Sequence, residues 1–309
     1  MVGSVKTLVA PHTKLGESPI VRQSDGTLHF IDVLGAAIHV LKLPDLQVLR
    51  SITCPQPISF ICFHEEGGYV ACSFDSVVRI GEDGGWQVMK QVLADSNSVR
   101  LNDGAVDSQG RLWFGSIDLA TEAVPISDFD SRIHSPRGSL YRYDRDGTLT
   151  VFEDGGIVCG NGIGWSPDEA TMYFTDSYIG VIWAYDFEPG SGSIRNKRIL
   201  IDRRGLVGQP DGLLVDSEGS IYTFLWDGAA VVKYDSTGRE LARWPVNSAR
   251  VTHGAWFGDQ YNHLFITSAE SDDGSAVWKG EEAGALFELR DMEAAGLEKH
   301  VFKGKATIS

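Results

Sequence analysis

The chain of 309 residues is poor in cysteine, and its four, Cys54, Cys62, Cys72 and Cys159, form neither a CxxC pair nor the density of a secreted disulfide scaffold. They read as buried free thiols, with a single Cys54 to Cys72 bridge as the alternative. Positive charge is scarce as well: 27 Lys and Arg stand against 42 Asp and Glu, a formal net charge of −15. Such a field repels phosphate backbones and anionic headgroups, which argues against nucleic acid and membrane surfaces as partners. No apolar run approaches the ~18 residues of a spanning helix, and the N-terminal MVGSVKTLVAPHTKLGESP lacks an apolar core of signal-peptide length. A soluble, cytoplasmic protein, a monomer or weak homo-oligomer, is the expectation. Helical periodicity is nearly missing; only DMEAAGLEKH at 291–300 reads as one short helix or turn, so an α/β solenoid is disfavoured. There is no GxSxG elbow and no HExxH helix, and the glycine clusters lack the strand-to-helix setting of a P-loop or dinucleotide fingerprint. Neither a serine hydrolase nor an NAD enzyme is expected.

What the sequence does have is glycine, 35 copies, and a repeated strand rhythm. Short runs recur: LHFID from Leu28, YVACSFD from Tyr69, LWFGSID from Leu112, MYFTDS from Met172, IYTFLWD from Ile221 and LFITSAE from Leu264. Their starts are 41, 43, 60, 49 and 43 residues apart, near the ~40–50 of one four-stranded propeller blade. Each is followed by a second strand rich in β-branched and aromatic residues, such as AIHVLKL at 37–43 or VIWAYD at 181–186, and several of these end on turn signals such as DRDG at 144–147 and DSTG at 235–238. Six units fill the chain, which predicts one domain over 1–309: an all-β six-bladed propeller of four-stranded antiparallel blades, closed by pairing of a strand near Val5 to Val9 with the C-terminal part. Closure removes exposed strand edges. Trp113, Trp165, Trp183, Trp226 and Trp256 fall in predicted strands and read as packing between blades.

Upstream of each run a polar residue beside Gly, Pro or Ser opens an apolar strand: Glu17, Ser59, Asn102, Asn161, Asp211 and His253, at 11, 10, 10, 11, 10 and 11 residues before the run. The first strand of a propeller blade is innermost, so these six are predicted to form a ring at one end of the central channel. Connections after the second strand overlie the same end, and two of them, about 117–138 and 270–284, are long enough for lids or substrate walls. Any one Asn-Gly or Asp-Gly would be an ordinary turn; recurrence at the blade starts argues for a site. Two carboxylates with amide and hydroxyl oxygens and no cysteine make a hard site suited to Ca²⁺, Mg²⁺ or Mn²⁺, while Zn²⁺ and Fe²⁺ suit the ligand type less well. Open positions on such an ion permit hydrolysis of an ester-like bond. Arg100 is a cationic fork for hydroxyls or a carboxylate, with pairing to a neighbouring Asp as the alternative. Asp176 either faces the channel or caps a tight turn.

GESP at 16–19, RLNDG at 100–104 with the following VDSQGRLWFGS, NGIGWSPD at 161–168, YFTDS at 173–177 and PDGLLVDSEG at 210–219 together resemble the gluconolactonase, regucalcin and senescence-marker-protein family of six-bladed propellers. The resemblance runs in order from about Leu15 to about Leu289. It implies a lactonase dependent on one divalent metal ion, Ca²⁺ favoured, with ligands Glu17, Asn161 and Asp211 and with Asn102 as a fourth ligand or a water-mediated neighbour. The substrate-contacting Arg and Asn of the family match Arg100 and Asn102. Its further acidic residue has no clean counterpart: a strict count lands on Ala120, with Asp118 two before and Glu122 two beyond, and Glu122 is the expected substrate-binding residue. The implied substrate is a small sugar lactone, opened to its acid, with Asp211 doubling as ligand and as the base that takes a proton from the attacking water. Since relatives on the same propeller act on organophosphates or handle calcium, the alternatives are an organophosphate or ester hydrolase and a non-enzymatic calcium-binding protein.

Overall fold

The structure is a computed structural model that describes residues 4–8, 11–271, 274 and 276–305. It is a six-bladed β-propeller whose blades are four-stranded antiparallel sheets. The chain divides into two compact units, one of Met1–Pro57 with Leu206–Glu298 and the other of Ile58–Gly205 with Lys299–Ser309.

The first unit holds blades one, five and six, whose first strands are Gly16–Arg22, Gln209–Val215 and Arg250–Phe257. Blade six is completed by Lys6–Leu8, which pairs antiparallel with Leu286–Leu289, so the N-terminal strand supplies the outermost edge of the last sheet. That is the expected closure; Val9 of the expected strand lies outside the described residues. The apolar material sits between blades rather than inside them. Leu214, Tyr222, Phe224 and Trp244 of blade five meet Val251, Trp256, Ile266 and Phe287 of blade six, and Leu28, Phe30 and Leu41 of blade one meet Phe257 and Phe265 of blade six.

The second unit holds blades two, three and four, with first strands Ile58–Phe63, Val99–Val106 and Gly160–Trp165. Phe60, Cys62, Val70 and Cys72 of blade two pack on Leu101, Leu112, Phe114 and Tyr143 of blade three, and Trp113 and Leu140 of blade three pack on Ile163, Met172 and Phe174 of blade four. Phe302, fully buried, joins the blade two and three cluster from the C-terminal segment. All four cysteines are buried and free, so the bridge is not formed.

Two expectations change. The segment 291–300 contains no helix; it runs through bends and one bridge. The helical turns lie instead in the blade-three connection, at Leu119–Glu122, Ile126–Asp128 and Ser131–His134. Of the five tryptophans, Trp113 and Trp256 are core, and Trp165 and Trp183 pack partly buried against it. Trp226 belongs to none of these clusters and lies under the Arg250 guanidinium, 4.7 Å from Cζ to the ring centroid.

At the other end of the blades the turns are built by Asp-x-x-Gly. Asp107 Oδ1 accepts from the backbone N–H of Gln109 and Arg111, while Gly110 takes φ 81°, open to glycine at little cost. Its Oδ2 accepts from Arg111 Nε at 2.6 Å and Trp113 Nε1 at 2.9 Å, with both Asp107 and Arg111 buried. Asp216 repeats the device, accepting from the N–H of Glu218 and Ser220, from the Tyr222 hydroxyl and from Lys233. A buried ion pair broken on one side leaves an uncompensated charge. Asp107→Ala is therefore expected to lower unfolding stability by about 3–5 kcal/mol in denaturant titration, whereas Asp235→Ala, at a turn whose arginine partner is exposed, should lower it far less.

Candidate active site at the first-strand bulges

Every first strand carries one extra residue against its second strand, and always at the same place. The register slips between Glu17 and Ile20, Ile58 and Phe60, Leu101 and Gly104, Gly160 and Ile163, Pro210 and Leu213, and Val251 and Gly254. The residue just before the shared position pairs in each blade with the fifth residue of the second-strand run: Gly16 with Asp32, Ile58 with Ser73, Leu101 with Ser116, Gly160 with Asp176, Pro210 with Leu225 and Val251 with Ser268. Equivalent places thus belong to Glu17, Ser59, Asn102, Asn161, Asp211 and Thr252. Thr252 takes the position expected of His253, which lies one residue further on.

A bulge disrupts alternation and re-aims side chains, which is how a polar residue can open an otherwise apolar inner strand. In the second unit the Ser59 hydroxyl donates to the Asn102 carbonyl at 2.9 Å, and Asn102 Nδ2 donates to the Gly160 carbonyl at 3.1 Å. In the first, the Thr252 hydroxyl donates to the Gly16 carbonyl at 2.6 Å. Each side chain reaches to the equivalent strand of the neighbouring blade. His253 instead lays its ring against the bulge of the preceding blade: a Cβ on Gly212 would come within 2.5 Å of His253 Cγ, so only glycine fits directly after Asp211.

Two buried carboxylates hold the backbone that leads into Glu17 and Asn161. Asp32 accepts from the N–H of Lys14 and Leu15 at 3.2 and 3.1 Å. Asp176 accepts from the N–H of Val158 and Cys159, both at 3.0 Å, and burial pushes its carboxyl above the ordinary value in spite of these bonds. Asp176 is thus a cap, the second of its two readings. Glu17, Asn161 and Asp211 are themselves 9%, 6% and 5% exposed, so all three present oxygens from within the protein.

Arg100, two residues before Asn102, lies with Cζ 4.8 Å from the Phe74 ring centroid, and its buried Nε has no hydrogen-bond partner among the described residues. Glu122 stands near it. Glu122 is exposed, yet protein packed around its carboxyl raises it above the ordinary value by desolvation, against the opposing pull of Arg100 and of a hydrogen bond from Cys159. Asp118, the other acidic candidate, is otherwise engaged. It caps the helical turn by accepting from Ala120 N–H and the Thr121 hydroxyl, and it pairs with Arg137 at 3.1 Å. Burial pushes its carboxyl up, but the bonds from Arg137 and Thr121 together hold it below the usual range. Ala120 offers no functional group. The loop is fastened to blade four by the Tyr178 hydroxyl, which donates to the Val124 carbonyl, and by Phe129 edge-on to Tyr178 at 5.3 Å.

Residues 15–270 match the model of the SMP-30/Gluconolactonase/LRE-like region. The chain belongs to this family. It is 28% identical over 308 residues to pentonolactonase XacC of Haloferax volcanii, covering 95% of this chain and 96% of that protein. Regucalcin of Xenopus laevis is 26% identical over 304 residues, 97% of this chain and 98% of that one. Among solved structures, a calcium-binding regucalcin from Agrobacterium tumefaciens superposes with a TM-score of 0.85 at 24% identity, covering 97% and 98% of the two chains, a likeness of fold.

Among the described residues no group of three or more His, Cys, Asp or Glu is gathered for a metal. Within the first unit the first-strand position carries the carboxylates of Glu17 and Asp211, and within the second the amides of Asn102 and Asn161, oxygen donors of the kind a hard divalent cation takes. No helix of the described residues is long and apolar enough to cross a membrane.

The support given by Asp176 has a measurable consequence. Asp176→Ala should leave the Val158 and Cys159 amides buried without an acceptor, lowering stability by about 1–3 kcal/mol per unsatisfied group. Hydrogen exchange at those two amides should accelerate well before the strands of blade two respond.

Proposed function

We propose that this protein hydrolyses a sugar lactone to the open-chain acid, using one divalent metal ion held by Glu17, Asn161 and Asp211. The observation that carries the reading is the placing of these three oxygen-bearing residues at one repeated strand position, inside a chain of the lactonase family. The naming of one relative as a pentonolactonase over nearly the whole length supports the substrate class. The naming of others as regucalcin or as calcium-binding supports Ca²⁺ as the first ion to try. When bound, a divalent ion supplies positive charge to a carbonyl oxygen and lowers the pKa of a water.

The chain's own residues would do the rest. Arg100, with Nε donor capacity and a planar fork, orients substrate hydroxyls from beside the Phe74 ring. Asn102 has an amide hydrogen committed to Gly160, which fixes the direction of its carbonyl oxygen as an acceptor or a further ligand. Glu122 closes the same side from the loop and accepts from a substrate hydroxyl. Asp211 takes the proton that leaves the attacking water. A carboxylate with a lowered basicity is a weak base, so its contribution depends on how far the water is already activated.

Chelation should abolish lactone turnover, and Ca²⁺, Mg²⁺ or Mn²⁺ should restore it. Arg100→Ala is expected to raise KM with kcat nearly kept, while Asp211→Asn that still carries an ion should lose about 100-fold or more in kcat. Preference for organophosphates or aryl esters over aldonolactones in a panel assay would move the reading to another hydrolase. Bound calcium with no turnover of any of them would leave a calcium-binding protein.

A further inference from the structure

The Arg100 arrangement is present twice. Phe74 is the residue just past Ser73, the partner of the residue before Ser59, and it lies under Arg100, two residues before Asn102. Trp226 is the residue just past Leu225, the partner of the residue before Asp211, and it lies under Arg250, two residues before Thr252. The guanidinium-to-ring distances are 4.8 and 4.7 Å. Both aromatics are followed by aspartate, Asp75 and Asp227. One blade thus offers an aromatic-Asp corner at the end of its second strand, and the next lays an arginine across it.

The two copies differ in charge balance. Asp75 is turned into its own loop, where Oδ1 accepts from the Ser73 and Ser76 hydroxyls. Asp227 instead pairs with Arg250 Nε at 3.2 Å while remaining 58% exposed, and Arg250 also donates to the Glu270 carbonyl at the root of the second long loop. Asp227 is held at φ 52°, a conformation uncommon for a non-glycine residue, and this turn presents its carboxylate to the guanidinium. An aromatic face, an exposed carboxylate that accepts and a guanidinium that donates form a set for a hydroxylated carbon chain: C–H groups against the indole, hydroxyls shared between acid and base. With its charge matched by Asp227, Arg250 is a poor trap for a phosphate or carboxylate.

We infer that Trp226, Asp227 and Arg250 form a second substrate contact, one residue outside the position of Asp211 and Thr252, which takes the neutral hydroxylated tail of the lactone and disfavours anionic tails. The inference rests on the proposed lactone hydrolysis and adds the substrate's character.

The test compares three lactones on the metal-loaded protein: a hydroxylated aldonolactone, an unsubstituted lactone of the same ring size and a phosphorylated aldonolactone. Trp226→Ala should raise KM for the aldonolactone about tenfold, with kcat within about twofold and the unsubstituted lactone little changed. Asp227→Ala should raise KM for the neutral aldonolactone and lower it for the phosphorylated one, a change of sign that a merely structural role does not produce. Equal effects on all three lactones, or none, would overturn the inference. Should the wild-type protein turn over no lactone, the proposed function fails by itself. Calorimetric titration of the aldonolactone into wild type and Trp226→Ala then decides the contact, which is refuted if the variant binds as well as wild type or if neither binds.

Discussion

One extra residue in each innermost strand sets the terms for everything else in this protein. Each blade would otherwise be an alternating sheet with apolar faces turned to its neighbours, and a polar residue near the start of its first strand would be buried without purpose. The bulge re-aims that residue along the row of blades, where Ser59, Asn102 and Thr252 each find a carbonyl of the adjacent first strand. The same feature that satisfies hydroxyl and amide groups presents Glu17, Asn161 and Asp211 in equivalent places. Six positions of one kind thus carry two kinds of residue. Ser59, Asn102 and Thr252 hold a neighbouring blade, and Glu17, Asn161 and Asp211 are the oxygen donors of the proposed site.

Rigidity around these positions comes from groups that do no chemistry. Asp32 and Asp176 tie down the segments before Glu17 and Asn161, and glycines at 115 and 160 allow backbones to approach so closely that a Cβ on either would lie within about 3 Å of the other's main chain. The Asp-x-x-Gly turns at the far end, with Asp107 and Asp216 buried under arginine, lysine and aromatic donors, pin the opposite ends of the strands. Glu122 and Asp227 lie in the connections that follow second strands, and Trp226 is the last residue of such a strand.

The blade count, strand order, closing N-terminal strand and two long loops were legible because hydrophobic runs, turn residues and spacing all encode local structure. Five of the six bulge positions followed from the same spacing. The sixth failed by one residue: in THGAWF Thr252 and His253 are both polar and it is His253 that stands beside glycine, so only pairing of Val251 with Ser268 shows where the bulge falls. The acid of the blade-three loop could not be resolved from counting, because what removes Asp118 is Arg137, 19 residues away and brought back by helical turns that carry no periodic signal. Trp226 looked like core for a similar reason. Its place at the strand end, under an arginine of the next blade, is a tertiary fact with no mark in the strand pattern.

The family accounts for the fold and for the class of reaction; the central claim beyond it is that the first-strand bulges gather one ion on Glu17, Asn161 and Asp211. Anomalous diffraction from crystals soaked in Mn²⁺ tests this directly. The account predicts a single strong peak within coordination distance, about 2.0–2.4 Å, of oxygens from all three residues. A peak elsewhere, or a fully occupied protein with none of the three as ligands, would contradict it.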